Sequence, residues 1–250
     1  MRHVLFLTIS LLVLASSPVS AQKMLIYMDL EQKDHLKAYG VAFQALEQGF
    51  TIEWLLNYRG GSFVLDLTED RIRTCRLRGV SFSAISGSNL AQIFAEIEAN
   101  NMDRVMLEKA PKIVVYTPPE KRPWDDAVTM ALKYAEVPYK TIWDKAVLAG
   151  DLTKYDWLHL HHEDFTGQYS KFYSYHRMPW YQQQKSTAEA LATELGFPTV
   201  AEEKKAVART IRTYVGNGGF LFAMCSATET LEVALTAQNT DIVAPEYDRT

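Results

Sequence analysis

Cysteine is scarce in this chain. Cys75 and Cys225 are the only two in 250 residues, too few for the disulfide framework of a small secreted scaffold. Cys75 sits on the apolar side of a helical pattern, three residues after Ile72, and reads as a buried, inert thiol. Excess basic charge is missing as well. Lysine and arginine number 26 against 30 acidic residues, a net charge of −4, which argues against nucleic acid or an anionic membrane surface as partner. The one dense basic stretch, Arg71, Arg73, Arg76 and Arg78, alternates around a short helix and reads as a solvated face. Past the N-terminus no apolar run is long enough to cross a bilayer.

What the chain does carry begins at its first residue. Met1-Arg2-His3 is a short basic segment, and Val4 to Ala15 is apolar apart from Thr8 and Ser10. Ser16-Ser17-Pro18 breaks that helix, and Val19-Ser20-Ala21 puts small residues where a signal peptidase reads them. The expectation is a signal peptide over residues 1–21, no transmembrane anchor after cleavage, and a periplasmic or secreted protein. At 48% hydrophobic and 22% charged, the remainder is ample for a core, as one large α/β domain or two small ones.

The rest reads as strands alternating with helices. Met24 to Met28, Thr51 to Leu56 and Val80 to Ile85 are strand-like, with helical periodicity between and after them, giving a β-α-β-α-β-α module over residues 22–110. A second series opens at Pro111, with strands at 112–116, 139–143, 156–161 and 220–224, and helices at 125–136, 187–195, 201–215 and 230–237. A shift of 89 residues superposes the two series, Lys23 on Lys112 and Trp54 on Trp143, and this admits an internal duplication. Such alternation predicts a three-layer α/β fold with a mostly parallel sheet and right-handed crossovers. Ligands of such sheets bind outside the carboxyl ends of the strands, which singles out three loops.

In the first, Gly218-Gly219 leads into an apolar strand, then Cys225, then Ser226-Ala227-Thr228 and a helix. A cysteine on so tight a turn is exposed beside a helix N-terminus, where the dipole favours the thiolate and the N–H groups of Ser226 and Ala227 face a developing oxyanion. The second loop, His159-Leu160-His161-His162-Glu163-Asp164, offers His161 or His162 as a base for Cys225, with Glu163 beside them. Alternatively His159 and His161, on one face of a strand, offer a zinc site. The third, Asn57 to Phe63, holds Arg59, Gly60 and Gly61 and reads as an anion cradle or a plain connecting loop. No other cofactor is implied. The aromatic segment Tyr169 to Tyr181 reads as a carbohydrate- or peptide-contacting surface or as lid packing.

From Pro111 onward these residues resemble the class I glutamine amidotransferase-like superfamily. The resemblance rests on the strand Lys112–Tyr116, the segment Leu152 to Leu160, and the run Tyr214 to Cys225. It implies a flavodoxin-like sheet with Cys225 as nucleophile, and His and Glu partners from a His-x-Glu motif that would follow Thr250, so that residues 111–250 are an incomplete, C-terminally truncated domain. The whole chain is also similar to exported bacterial proteins labelled asparagine synthetase B, through Tyr27 to Glu31, Asn57 to Ser62 and Tyr155 to Gly167. The residues of synthetase chemistry are not here: export exposes Gln22 rather than a cysteine, and Arg59-Gly60-Gly61-Ser62 lacks the ATP-binding pattern. Three expectations result: a cysteine-dependent amide or ester hydrolase, a binding or scaffold module of the same fold that takes a small molecule, peptide or carbohydrate, and a metal-dependent hydrolase centred on His159 and His161.

The leader is directly testable. N-terminal sequencing or intact mass of the exported protein should give a chain that starts at Gln22, cyclised to pyroglutamate. A product that retains Met1 would refute it.

Overall fold

The computed structural model describes residues 22–119 and 126–249; the expected leader, residues 1–21, lies outside them. Among the described residues no helix is long and apolar enough to cross a membrane. The chain divides between Glu108 and Lys109 into two compact units, with Leu46–Gly49 grouped with the second.

The first unit runs β1 (Lys23–Ile26), α1 (His35–Glu47), β2 (Ile52–Leu56), β3 (Ser62–Asp66), α2 (Glu69–Arg78), β4 (Phe82–Ile85), α3 (Gly87–Ala99) and β5 (Asp103–Leu107). Its five strands lie in the order β4-β1-β3-β2-β5, and every neighbouring pair is antiparallel. This corrects the expectation of a mostly parallel sheet throughout. The reason is the connection after β2. Only Asn57–Gly61 separates β2 from β3, whereas a crossover to a parallel neighbour needs a dozen residues or more. The two strands therefore form a hairpin, with Leu55 opposite Ser62 and Glu53 opposite Val64. The helices α1 and α2 then each link strands separated by a third, the split β-α-β arrangement.

The hairpin turn carries positive φ at Asn57, Arg59, Gly60 and Gly61. At Gly60 glycine is obligatory, since a Cβ there would stand 2.3 Å from the Met28 carbonyl oxygen. On one face of the sheet Leu25, Leu55, Val64 and Ile85 pack against Ile93 and Ile97 of α3. On α2, Thr68 caps the first turn, Glu69 and Asp70 precede Arg76 and Arg78, and Gly79 ends the helix at φ 69, an order that suits the helix dipole. Cys75 is fully buried against Met24, 3.8 Å between sulfurs. Arg71, four residues earlier on the same face, is buried too. It donates to the Asp66 carbonyl at 2.8 Å and lies over Phe50. It is thus not part of a solvated arginine face, because i and i+4 share one side of a helix.

The second unit runs β6 (Ile113–Tyr116), α4 (Ala127–Ala135), β7 (Tyr139–Ile142), α5 (Asp144–Leu148), β8 (Trp157–Leu160), α6 (Pro179–Glu194), α7 (Val200–Gly216), β9 (Phe220–Ala223), α8 (Ser226–Thr236) and α9 (Pro245–Asp248). Here the sheet is parallel, in the order β7-β6-β8-β9. The chain winds from β6 to β7, then returns past β6 to β8 and β9. The order therefore reverses between β6 and β8, where the carboxyl ends of the strands leave a crevice. Val114, Tyr116, Leu158 and Leu160 pack with Val207, Ala208, Ile211, Ala227 and Leu231 of α7 and α8. The opposite pairing in the two sheets removes the internal duplication: β1 has antiparallel neighbours and β6 parallel ones.

Two glycines separate the effect of backbone conformation from that of steric contact. Gly60→Ala forces a positive φ and a backbone clash, whereas Gly79→Ala forces only the positive φ, with nothing within 4 Å of its Cβ. Urea unfolding should show a loss of about 1 kcal/mol for the second and at least about 2–3 kcal/mol for the first.

Candidate functional site

The parallel register of β8 and β9, with Leu160 opposite Ala223, brings two loops off the same edge of the sheet. The Met224 N–H extends the ladder to the Leu160 carbonyl at 3.1 Å. The chain then turns at Cys225, whose φ of 54° and ψ of −143° belong to a region that residues other than glycine occupy only under strain. Helix α8 starts at the next residue, and the Cys225 thiol is exposed.

The first turn of α8 is sewn to the loop after β8. Ala227 N–H donates to the His161 carbonyl at 3.4 Å, Ser226 Oγ to the His162 carbonyl at 3.0 Å, and Thr230 Oγ1 to the Glu163 carbonyl at 2.9 Å. Ala227 is fully buried, so the turn closes only around a small side chain. Its N–H, an expected oxyanion donor, is already directed at a carbonyl.

Within that loop the His161 N–H donates to Glu163 Oε2 at 3.1 Å. The His161 Nδ1 lies 3.4 Å from Asp126 Oδ2 and 3.0 Å from His162 Nδ1. Asp126 is the N-cap of α4 and accepts from the N–H groups of Val128 and Thr129. Burial works to raise the pKa of its carboxyl, but those two N–H groups and His161 outweigh it and hold it below the usual carboxylate range. Asp126, His161 and His162 thus converge, with one ligand atom of each within 4.8 Å of the others.

His159 stands outside this trio. It is buried in β8, stacked on Phe222 with ring centroids 5.4 Å apart, and neither ring nitrogen has a hydrogen-bond partner. Burial pushes its pKa down to about 4, so the ring is neutral. The cluster therefore joins His161 to His162 and Asp126, and not to His159. The third sequence-predicted loop lies in the first unit. There Arg59 spends its guanidinium on Asp29 at 2.6 Å and Glu31 at 2.7 Å, stacked over Tyr27, and Gly60 and Gly61 form the hairpin turn.

At the carboxyl edge of the parallel sheet lies a cavity of about 950 Å³. Pro118 and Pro119 border it after β6, Trp143 and Asp144 after β7, His162 to Asp164 after β8, and Ser226 and Thr230 from α8. Its wall holds a buried ionic network that sequence reading missed. Lys204 donates to Asp144 Oδ2 at 2.5 Å and to the Tyr116 hydroxyl at 3.0 Å, and the same hydroxyl donates to Asp144 Oδ1. Lys204 also lies 4.1 Å from the Trp143 ring centroid. Next to it Glu203 is 1% exposed, with its carboxyl set against that of Asp144. Burial, and then the charge of Asp144, push its pKa up to about 8 against the pull of Lys204. A protonated Glu203 leaves the network neutral. A signal for these residues does exist: Glu203 and Lys204 fall on the same helical stripe as Val200, Val207 and Ile211, so charge sits where α7 is apolar.

Comparison with protein-family models, with curated proteins and with solved structures finds no match for this chain.

His159 gives the second unit an acid-sensitive core. The ordinary imidazole value is about 6.5, so above that pH folded and unfolded chains are both neutral there. Below it the unfolded chain takes up a proton that the folded chain refuses, and stability falls as pH drops towards 4. His159→Phe should keep the stacking on Phe222 and flatten that limb. The slope should fall by no more than about 1.4 kcal/mol per pH unit, reduced further by solvent screening. Denaturant titrations at pH 7, 6 and 5 measure it; an unchanged acid limb would assign the loss to other groups.

Proposed function

We infer that the second unit is a cysteine-dependent hydrolase of amide or ester bonds, in an exported protein whose parallel sheet is flavodoxin-like and related to the class I glutamine amidotransferase-like proteins. The observation that carries this reading is the backbone of Cys225. A non-glycine residue at φ 54°, ψ −143°, with an exposed thiol between a parallel strand and a helix, costs about 1–3 kcal/mol. Strain of that size is kept where it aims a side chain. The strand order β7-β6-β8-β9 and its reversal beside the cavity support the same reading.

In this reading the Cys225 sulfur attacks the carbonyl carbon and its proton passes to a histidine of the His161–His162 pair. The oxyanion forms at the N-terminus of α8, where the helix dipole favours negative charge. As the intermediate collapses, the C–N or C–O bond breaks and the histidine returns the proton to the departing amine or alcohol. Water, deprotonated by the same histidine, then cleaves the thioester and restores the thiol. Asp126 steadies His161 and Glu163 steadies the loop. A small molecule, peptide or carbohydrate would occupy the cavity, against Trp143, Tyr169 and Phe172.

One observation favours a binding module instead. Ser226 and Thr230 border the cavity but Cys225 does not. Thiol reactivity separates the two readings. At neutral pH Cys225 should react with iodoacetamide at least about ten times faster than free cysteine. Cys75, whose thiol burial pushes up to about 11, should remain unlabelled until the protein unfolds. A Cys225 rate no greater than that of the free amino acid would remove the cysteine-dependent reading.

A further inference from the structure

We propose that Asp126, His161 and His162 form a binding site for a divalent first-row transition-metal ion of the zinc or cobalt type. The site stands on the geometry of these three side chains alone.

The three converging atoms are short of hydrogen. His161 Nδ1 faces both Asp126 Oδ2 at 3.4 Å and His162 Nδ1 at 3.0 Å. A carboxylate offers only lone pairs, and two Nδ1 atoms at this separation cannot both carry hydrogen. At most one proton therefore serves three converging atoms. A cation placed among them would use all three lone pairs at once.

Metal–nitrogen and metal–oxygen bonds of about 2.0–2.2 Å, opened by angles between octahedral and tetrahedral, place neighbouring ligand atoms about 2.9–3.5 Å apart. The two shorter separations, 3.0 and 3.4 Å, fall inside that interval. All three ligand atoms lie within 4.8 Å of one another.

The three side chains are also held in place. Asp126 is 2% exposed and fixed by two backbone N–H groups of α4, which orient it as outer partners orient metal-bound carboxylates. His161 and His162 are positioned through their own backbones. The His161 N–H is held by Glu163, the His161 carbonyl by Ala227, and the His162 carbonyl by Ser226. Two imidazoles and one carboxylate suit zinc, cobalt or iron(II) better than magnesium or calcium, which select all-oxygen sites. Among the described residues no fourth histidine, cysteine or carboxylate joins the trio. A bound ion would also engage both histidines, and neither could then accept a proton from Cys225.

Cobalt(II) titration of chelator-treated, full-length mature protein tests the site, with visible absorption and calorimetry as readouts. One equivalent should bind with ligand-field bands of a nitrogen–oxygen site, and zinc should displace it. His162→Gln, which spares the α4 cap, and Asp126→Asn should each weaken binding at least about 100-fold, while Cys225→Ser should bind as tightly as the parent. Circular dichroism of each variant excludes unfolding as the cause. Absence of stoichiometric binding by the folded parent, or binding that survives both substitutions, would overturn the proposal. Iodoacetamide labelling of the metal-free protein reports separately on Cys225. Cobalt binding with an unreactive thiol would thus remove the hydrolase reading alone, and a reactive thiol without cobalt binding would remove the metal site alone.

Discussion

The ammonium of Lys204, buried beneath the end of the parallel sheet, constrains everything around it. A lone charge at that depth would cost several kcal/mol, and the fold meets the cost by convergence. Asp144 arrives from the turn after β7, Tyr116 from the last residue of β6, and Lys204 from the second turn of α7. Three segments distant in sequence must therefore reach one point before any of them is satisfied. Tyr116 in turn is stacked between Trp143 at 4.5 Å and Phe165 at 5.2 Å, so the polar knot is sealed by aromatic rings. Such a network adds little net stability compared with an apolar core of the same shape, but it penalises any other register of α7 on the sheet.

The same economy operates at the neighbouring pair of strand ends. The strain at Cys225 is tolerated because the helix that follows is fastened to the loop after β8 at three successive residues, through Ser226, Ala227 and Thr230. Gly167 extends the scheme. A Cβ at that position would meet the Ala201 backbone nitrogen at 2.8 Å, so the loop carrying the histidines is pressed against the start of α7. The loop is held on two sides by helix N-termini, and its polar side chains project from a backbone with little freedom.

The parallel unit was largely legible in the sequence and the antiparallel one was not. Strands β6, β8 and β9 are short apolar runs bounded by turn formers, the pattern that burial between layers produces. In the first unit Ser62–Asp66 follows directly on a glycine-rich turn, with no residue to mark where loop ends and strand begins, although Phe63, Val64 and Leu65 are buried. Strand β5 carries Asp103 and Arg104 and leaves Met106 half exposed, so no apolar signature marks it. Without β3 the β-α-β pattern could only suggest parallel pairing, because hydrophobic periodicity shows which face is buried and not which strand lies beside it. At the site, residue type alone singled out Cys225, His161 and His162. Asp126, Asp144 and Lys204 act through partners 35 to 60 positions away, and no local pattern encodes such distances.

Trp143 gives the cavity an optical consequence. Its indole borders the open volume, and the Lys204 ammonium stands 4.1 Å from its ring centroid. A fixed positive charge at that range acts on the excited-state dipole of the indole, and the cavity side of the ring meets solvent. Occupancy of the cavity would exchange water for ligand along that edge while the charge stays in place. Emission from this tryptophan would then register filling of the site by any compound, coloured or not and whether or not it reacts, so the protein carries its own fluorescent gauge of what its cavity accepts.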